Sequence, residues 1–159
     1  MLPELTLGSA LRALPMLQQA FAIAGQEMTS EANASKPLWK KTMSDLSVAA
    51  TATEAYGVDH HKYPNVKSYG ELQSVLSPTY IRQMPERDAR GMPFVYIVSP
   101  DSHHYRFVSA GADGHFETSS ARIETIPPGF RTKFTDNPGA DIIFQDGIFV
   151  QAPVQSQKE

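Results

Sequence analysis

There is no cysteine anywhere in the 159 residues. That excludes a disulfide framework, a thiolate nucleophile and any zinc site built on cysteine sulfur. It does not fix the compartment, because proteins on either side of a membrane can lack cysteine. Apolar runs are short as well. A membrane-crossing helix needs about eighteen or more apolar residues in a row, and the nearest stretch, 7–24, is broken by Arg12, Pro15, Gln18 and Gln19. The same stretch lacks the basic start and small-residue cleavage site of a secretory signal. Positive charge is not in excess: 14 Lys and Arg against 17 Asp and Glu give a formal net charge of -3. With no basic run either, nucleic acid is not an expected partner.

Catalytic signatures are missing too. No G-x-S-x-G, P-loop, dinucleotide fingerprint or H-E-x-x-H occurs, and these are the spacings that carry a built-in geometry for nucleophile, phosphate or zinc. A non-enzymatic protein is expected. The five histidines are His60-His61, His103-His104 and His115. Adjacent side chains on a helix or strand point in different directions, so these read as solvated loop histidines. The competing reading, a metal-dependent hydrolase, would need them gathered around one ion.

What the chain does contain is patterned. In 1–36, Met16, Leu17, Ala20, Phe21, Ala24 and Met28 share one helical face, with Gln18, Gln19 and Gln26 off it. Such a stripe docks on its own domain or another copy, or lies on a membrane surface, although few basic residues flank it to meet anionic lipid. Residues 29–36 are small and polar, a linker. Pro37 suits a first helical turn, so a long helix is expected from residue 37 or 38 to about 59. Positions 46–53 carry no charge, and Met43, Leu46, Ala50 and Thr53 recur at three-to-four spacing, giving one thin face to bury against a sheet. Tyr63-Pro64 closes this region. Lone Trp39 near the helix start either anchors a partner or caps a contact with the N-terminal segment.

Downstream, Ser68-x-x-Glu71 is a capping box opening a short helix that contains Leu72, Val75 and Leu76 and stops at Ser77-Pro78. Strands are expected at 94–98 and 105–109, joined as an antiparallel hairpin by the turn cluster 99–102. Tyr105, Phe107 and Ser109 then share one face, Arg106 and Val108 the other. Asp146-Gly147 between 141–145 and 148–151 is the strongest hairpin signal in the chain. The tyrosines and phenylalanines of these elements read as packing between helix and sheet. Between the hairpins lies a long excursion, 115–138; loops of that length are functional, mobile, or conceal a strand or short helix. The expected organisation is an N-terminal segment and linker over 1–36, a domain over 37–151 and a polar tail over 152–159.

One set of residues resembles a known family. Asp45, Ala52, Glu54, Ala55, Tyr56, Val58, Asp59, Tyr63 and Pro64 are similar to the start of the ectodomain of type IV pilin-like proteins, above all the major pseudopilin (G subunit) of type II secretion. Leu76-x-Pro78-x-Tyr80-Ile81-x-x-Met84-Pro85 resembles the family's turn after a short helix. Asp88-x-x-Gly91-x-Pro93-Phe94 resembles its D-x-W-G-x-P-[YF] loop, with Arg90 in place of the tryptophan. Tyr105, Ser109 and Gly111-Ala112-Asp113-Gly114 are similar to its Y-x-[IVL]-x-S-x-G-A-D-G, and Ala140-Asp141-Ile142 to its A-D-I. Two features depart from the family. No stretch matches its G-F-[TS]-x-x-E start on a long apolar helix, and more than twenty residues separate G-A-D-G from A-D-I where the family has a short loop.

The resemblance implies an α+β, pilin-like fold: a long N-terminal α-helix packed on a small antiparallel β-sheet with long loops. It implies a structural subunit, located in the periplasm or cell envelope. Such a subunit self-associates or joins other pilin-like subunits and secretion-system proteins in a filament for protein export. It also implies a calcium ion, Ca2+, on Asp113 and Asp141, since calcium takes carboxylate and main-chain oxygens from tight glycine-bearing loops. Asp136 and Asn137 stand near in sequence, with no motif to assign them. The same residues also serve as an ordinary turn and a strand start. A second role stays open, a soluble pilin-like domain adapted to bind an envelope partner or ligand.

Overall fold

The computed structural model describes residues 37–154. The N-terminal amphipathic stripe, its linker to residue 36 and the end of the tail lie outside the described residues. The chain enters through helix α1, Leu38–His60, within a residue or so of the expected limits. Thr42, Leu46, Ala49, Ala50, Ala52 and Thr53 are its buried residues. The hydroxyls in its uncharged stretch, 46–53, bond back to the helix's own carbonyls: Ser47 Oγ to Met43 O at 3.0 Å, Thr51 Oγ1 to Ser47 O at 2.8 Å and Thr53 Oγ1 to Ala49 O at 2.9 Å. Thr53 can therefore be fully buried without an unpaired donor.

Helix α2, Tyr69–Leu76, begins where the capping box is written. Ser68 Oγ accepts the Glu71 amide at 3.2 Å, while the Glu71 carboxylate accepts the Lys67 amide at 2.9 Å. Five strands follow: β1 (Val95–Val98), β2 (Tyr105–Ser109), β3 (Lys133–Thr135), β4 (Ile142–Gln145) and β5 (Ile148–Pro153). They form one sheet in the order β1-β2-β4-β5-β3. The fold is α+β, as expected, but the sheet is mixed rather than purely antiparallel, because β3 pairs in parallel with β5. The first hairpin has Tyr96 opposite Phe107 and β4 lies on the other side of β2 with Phe144 opposite Phe107. In the second hairpin Asp146 and Gly147 both take positive φ, 47° and 89°, the pairing that matches the twist of a two-residue turn. Strand β5 runs through Ala152 and Pro153, into residues expected to belong to the tail; Ala152 is fully buried.

The sheet has two unlike sides. On one, Tyr105, Phe107, Ile142 and Phe144 meet Leu46 and the alanines of α1, Leu72 and Leu76 of α2, and Phe94 and Tyr96. Burying each large side chain here is worth about 1.5–3 kcal/mol, so this layer carries most of the drive to fold. On the other side Arg106, Val108, Ile143 and Gln145 would face water on a half-covered sheet, yet all five residues of β2 and all four of β4 are buried. The cover is the excursion, which contains a short 3-10 turn (Thr118–Ala121) and strand β3. It is tied down by polar bonds: Arg106 Nη1 donates to Ser120 O, Gln145 Nε2 to Glu124 O, and the Glu124 amide to Gln145 Oε1.

Candidate functional site

The excursion ends by returning the chain to the loop it left. Gly111-Ala112-Asp113-Gly114 lies against 138–140, with the Ala112 amide donating to Pro138 O at 2.7 Å. The approach is so close that a Cβ on Gly111 would sit 2.1 Å from Gly139 O and 2.5 Å from Ala140 O. Only glycine fits there. The two loop motifs, separated by more than twenty residues of sequence, are thus brought side by side.

Their carboxylates are held differently. Asp113 is exposed and its Oδ1 accepts the His115 amide at 2.9 Å; its Oδ2 faces Gly139, 3.0 Å from where a Cβ would stand. Asp141 is fully buried, its Oδ2 accepts the Glu117 amide at 2.8 Å, and its Oδ1 is buried with no partner among the described residues. A buried carboxylate oxygen left without a donor is costly, and a cation would relieve it. No group of three or more acidic or histidine side chains able to hold a metal occurs among the described residues. A calcium ion here would therefore draw on Asp113, Asp141 and main-chain carbonyls. Asn137 is otherwise engaged, its Oδ1 accepting the Gly139 amide at 2.9 Å, and Asp136 is exposed.

The neighbouring loop is held by an acid that the sequence offered only as part of a motif. Asp88 is buried; its Oδ1 accepts the Arg90 and Met92 amides, each at 2.9 Å, and its Oδ2 accepts the Ser109 hydroxyl at 2.9 Å. Thr42 Oγ1 accepts the Ala89 amide at 3.2 Å. Asp88 thereby fastens the 88–94 loop to β2, and Thr42 fastens it to the start of α1. A cavity of about 320 Å³ opens beside them, lined by Trp39, Thr42, Asp88, Arg90, Gly111 and Asn137 among others.

At the far end of α1 sits a second polar knot. Glu54 accepts the Tyr105 hydroxyl at 2.8 Å and the Tyr63 hydroxyl at 3.0 Å. Burial, reinforced by the Glu54 carboxylate, pushes both phenols well above the ordinary tyrosine range. The histidines do not gather around one point among the described residues: His60 stacks on Tyr56 at 4.0 Å, His104 Nδ1 lies 2.9 Å from Asp146 Oδ2, His61 and His103 line one pocket with Glu54, and His115 is exposed on another loop. Comparison with family models, curated proteins and solved structures finds no match to this chain.

Proposed function

We propose that this chain is a non-enzymatic structural subunit of the pseudopilin type, packing helix to helix with its own copies or other pilin-like subunits in an envelope filament for protein export. The observation that carries the reading is the outward face of α1. Ser44, Val48, Thr51, Ala55 and Val58 are exposed and follow one another at three-to-four spacing. Val48 and Val58 are 43% and 73% exposed. The stripe is uncharged over about 21 Å, at ~1.5 Å per residue. Between its ends the helix has two charges, and both are engaged: Asp45 pairs with Lys41 at 2.6 Å, and Glu54 is taken up by the two tyrosines. A solvated helix face ordinarily carries charge. One that is uncharged, flat and valine-bearing suits another helix.

Calcium belongs to the same proposal. The unpartnered Asp141 Oδ1 and the close glycine seam at Gly111 fit a cation held by Asp113, Asp141 and carbonyls. When bound, it would supply charge neutralisation and clamp the two loops.

The assembly reading is tested on the full chain with Val48→Cys and Val58→Cys, in a protein that otherwise has no cysteine. Mild oxidation should give disulfide-linked multimers, and adding Thr51→Lys should abolish them while leaving the circular dichroism unchanged. Monomers alone at every concentration, together with no capture of pilin-like partners, would sink it.

A further inference from the structure

The side of the sheet under the excursion holds a buried cation that no carboxylate contacts directly among the described residues. Arg106 is 1% exposed. Its Nε donates to Gln145 Oε1 at 2.8 Å and its Nη1 to Ser120 O at 3.2 Å, both neutral acceptors. Its Nη2 is buried with no partner among the described residues. Among those residues Lys41 pairs with Asp45 and His104 lies beside Asp146; the Glu124 and Asp146 carboxylates act on Arg106 only from a distance, without pairing with it. Burial pulls Arg106 below its ordinary value, with the Glu124 and Asp146 carboxylates acting the other way, and arginine remains charged in proteins. Chains rarely bury an arginine without pairing it, because the uncompensated charge is strongly destabilising.

A second buried donor stands in the same place. Ser120 is 2% exposed and its Oγ is also unpartnered. Arg106 and Ser120 line one cavity of about 320 Å³, with Lys133, Gln151, Glu117 and Glu124 around it. Two of these donors sit on rigid framework: Arg106 is in the middle of β2, and Lys133 begins β3. The volume is at the small end of ligand pockets, which run from roughly 300 to 1,000 Å³. Arg106 Nη2 and the Ser120 hydroxyl are both free to donate, and an acceptor with two oxygens in a plane can take one bond from each. The two glutamates balance the two cations of the lining and oppose an anion of higher charge.

We propose that this cavity binds a small, singly charged carboxylate, with its oxygens on Arg106 Nη2 and Ser120 Oγ. The ligand sits between the sheet and the excursion, so its binding adds to the bonds that hold 117–124 against the sheet. The site lies on the side of β2 away from α1. Its failure would leave the assembly reading standing, and failure of assembly would leave the site.

The test is a titration of the full chain, labelled with nitrogen-15, with sodium acetate at fixed ionic strength. Sodium chloride and sodium phosphate serve as the comparison arms. The expected result is a saturable shift of the Arg106 Nε signal and of the Ser120 and Glu124 amides with acetate alone. Ser120→Ala, a small change that leaves the sheet intact, should weaken acetate about three- to tenfold, the loss of one hydrogen bond. Arg106→Gln should abolish the shift of the two amides; if that variant does not fold, Ser120→Ala alone decides. A non-saturating response to acetate, an equal response to chloride, or Ser120→Ala binding as tightly as the parent would each overturn the proposal. Tighter binding of phosphate would contradict the carboxylate class.

Discussion

Strand β2 separates two layers built on different principles. Toward α1 it presents Tyr105 and Phe107 to a layer of rings and aliphatic chains, with ring centroids 5.3 Å apart for Tyr96 and Phe107 and 6.1 Å for Tyr69 and Phe107. Toward the excursion it presents Arg106, held with Gln145 in a short polar network that involves Ser120 and Glu124. The first layer is non-directional and tolerant of small shifts. The second depends on individual donors and acceptors, and it leaves two of them unpaired. One layer is held by burial, the other by individual hydrogen bonds.

Truncation should expose that difference most strongly. Phe107→Ala removes a fully buried ring from the centre of the apolar layer and is expected to cost about 3–5 kcal/mol, read from the urea midpoint. A loss below that of Gln145→Ala would break the comparison.

The seam where the 111–114 loop meets 138–140 should respond to metal. If Asp113 and Asp141 hold calcium, excess calcium over chelator raises the melting temperature, by about 2.7 kcal/mol of stability at a hundredfold excess over Kd. Asp141→Asn should remove that rise. A rise that persists in Asp141→Asn would place the ion elsewhere.

Gln145→Ala comes next. It strips a partner from Arg106 Nε and from both the amide and the carbonyl of Glu124, and about 1–3 kcal/mol is expected. Because the damage is confined to the polar layer, hydrogen exchange should rise over 117–124 and stay unchanged in α1.

The smallest effect concerns alkali. Tyr63 and Tyr105 hold their protons in the folded state beyond the ordinary range, through burial first and then Glu54. In the unfolded chain they ionise near pH 10. The folded protein therefore binds more protons above that point. Their contribution to stability is complete below about pH 10 and is lost as pH rises toward the folded values. Tyr63→Phe should make the alkaline fall in the urea midpoint shallower. An unchanged slope would show that the Glu54 knot does not couple to folding.

The two layers also differ in how far they could be read in advance. Hydrophobic spacing located α1, the Ser68 box located α2, and Asp146-Gly147 located the second hairpin, because each rests on a local rule that the neighbours do not override. Strand β3 escaped notice: Lys133-Phe134-Thr135 is too short to alternate, and its partner is a parallel strand that the sequence does not mark. The burial of Arg106 escaped for a similar reason. Alternation put it on the outer face of β2, and only the excursion, which has no period, turns that face inward. Of the candidate site, Asp113 and Asp141 came from a resemblance rather than from spacing. That Asp141 would be buried with one oxygen free, and that Asp88 would fasten its loop to β2, depend on close packing that no local pattern encodes.

The most direct test of the account is chemical crosslinking in the native host, followed by envelope fractionation and mass spectrometry of the bands. The uncharged stripe on α1 predicts a regular ladder in the envelope fraction, containing this chain and other pilin-like proteins, that disappears with Thr51→Lys. A single species with no such partners, unaffected by that substitution, would contradict it.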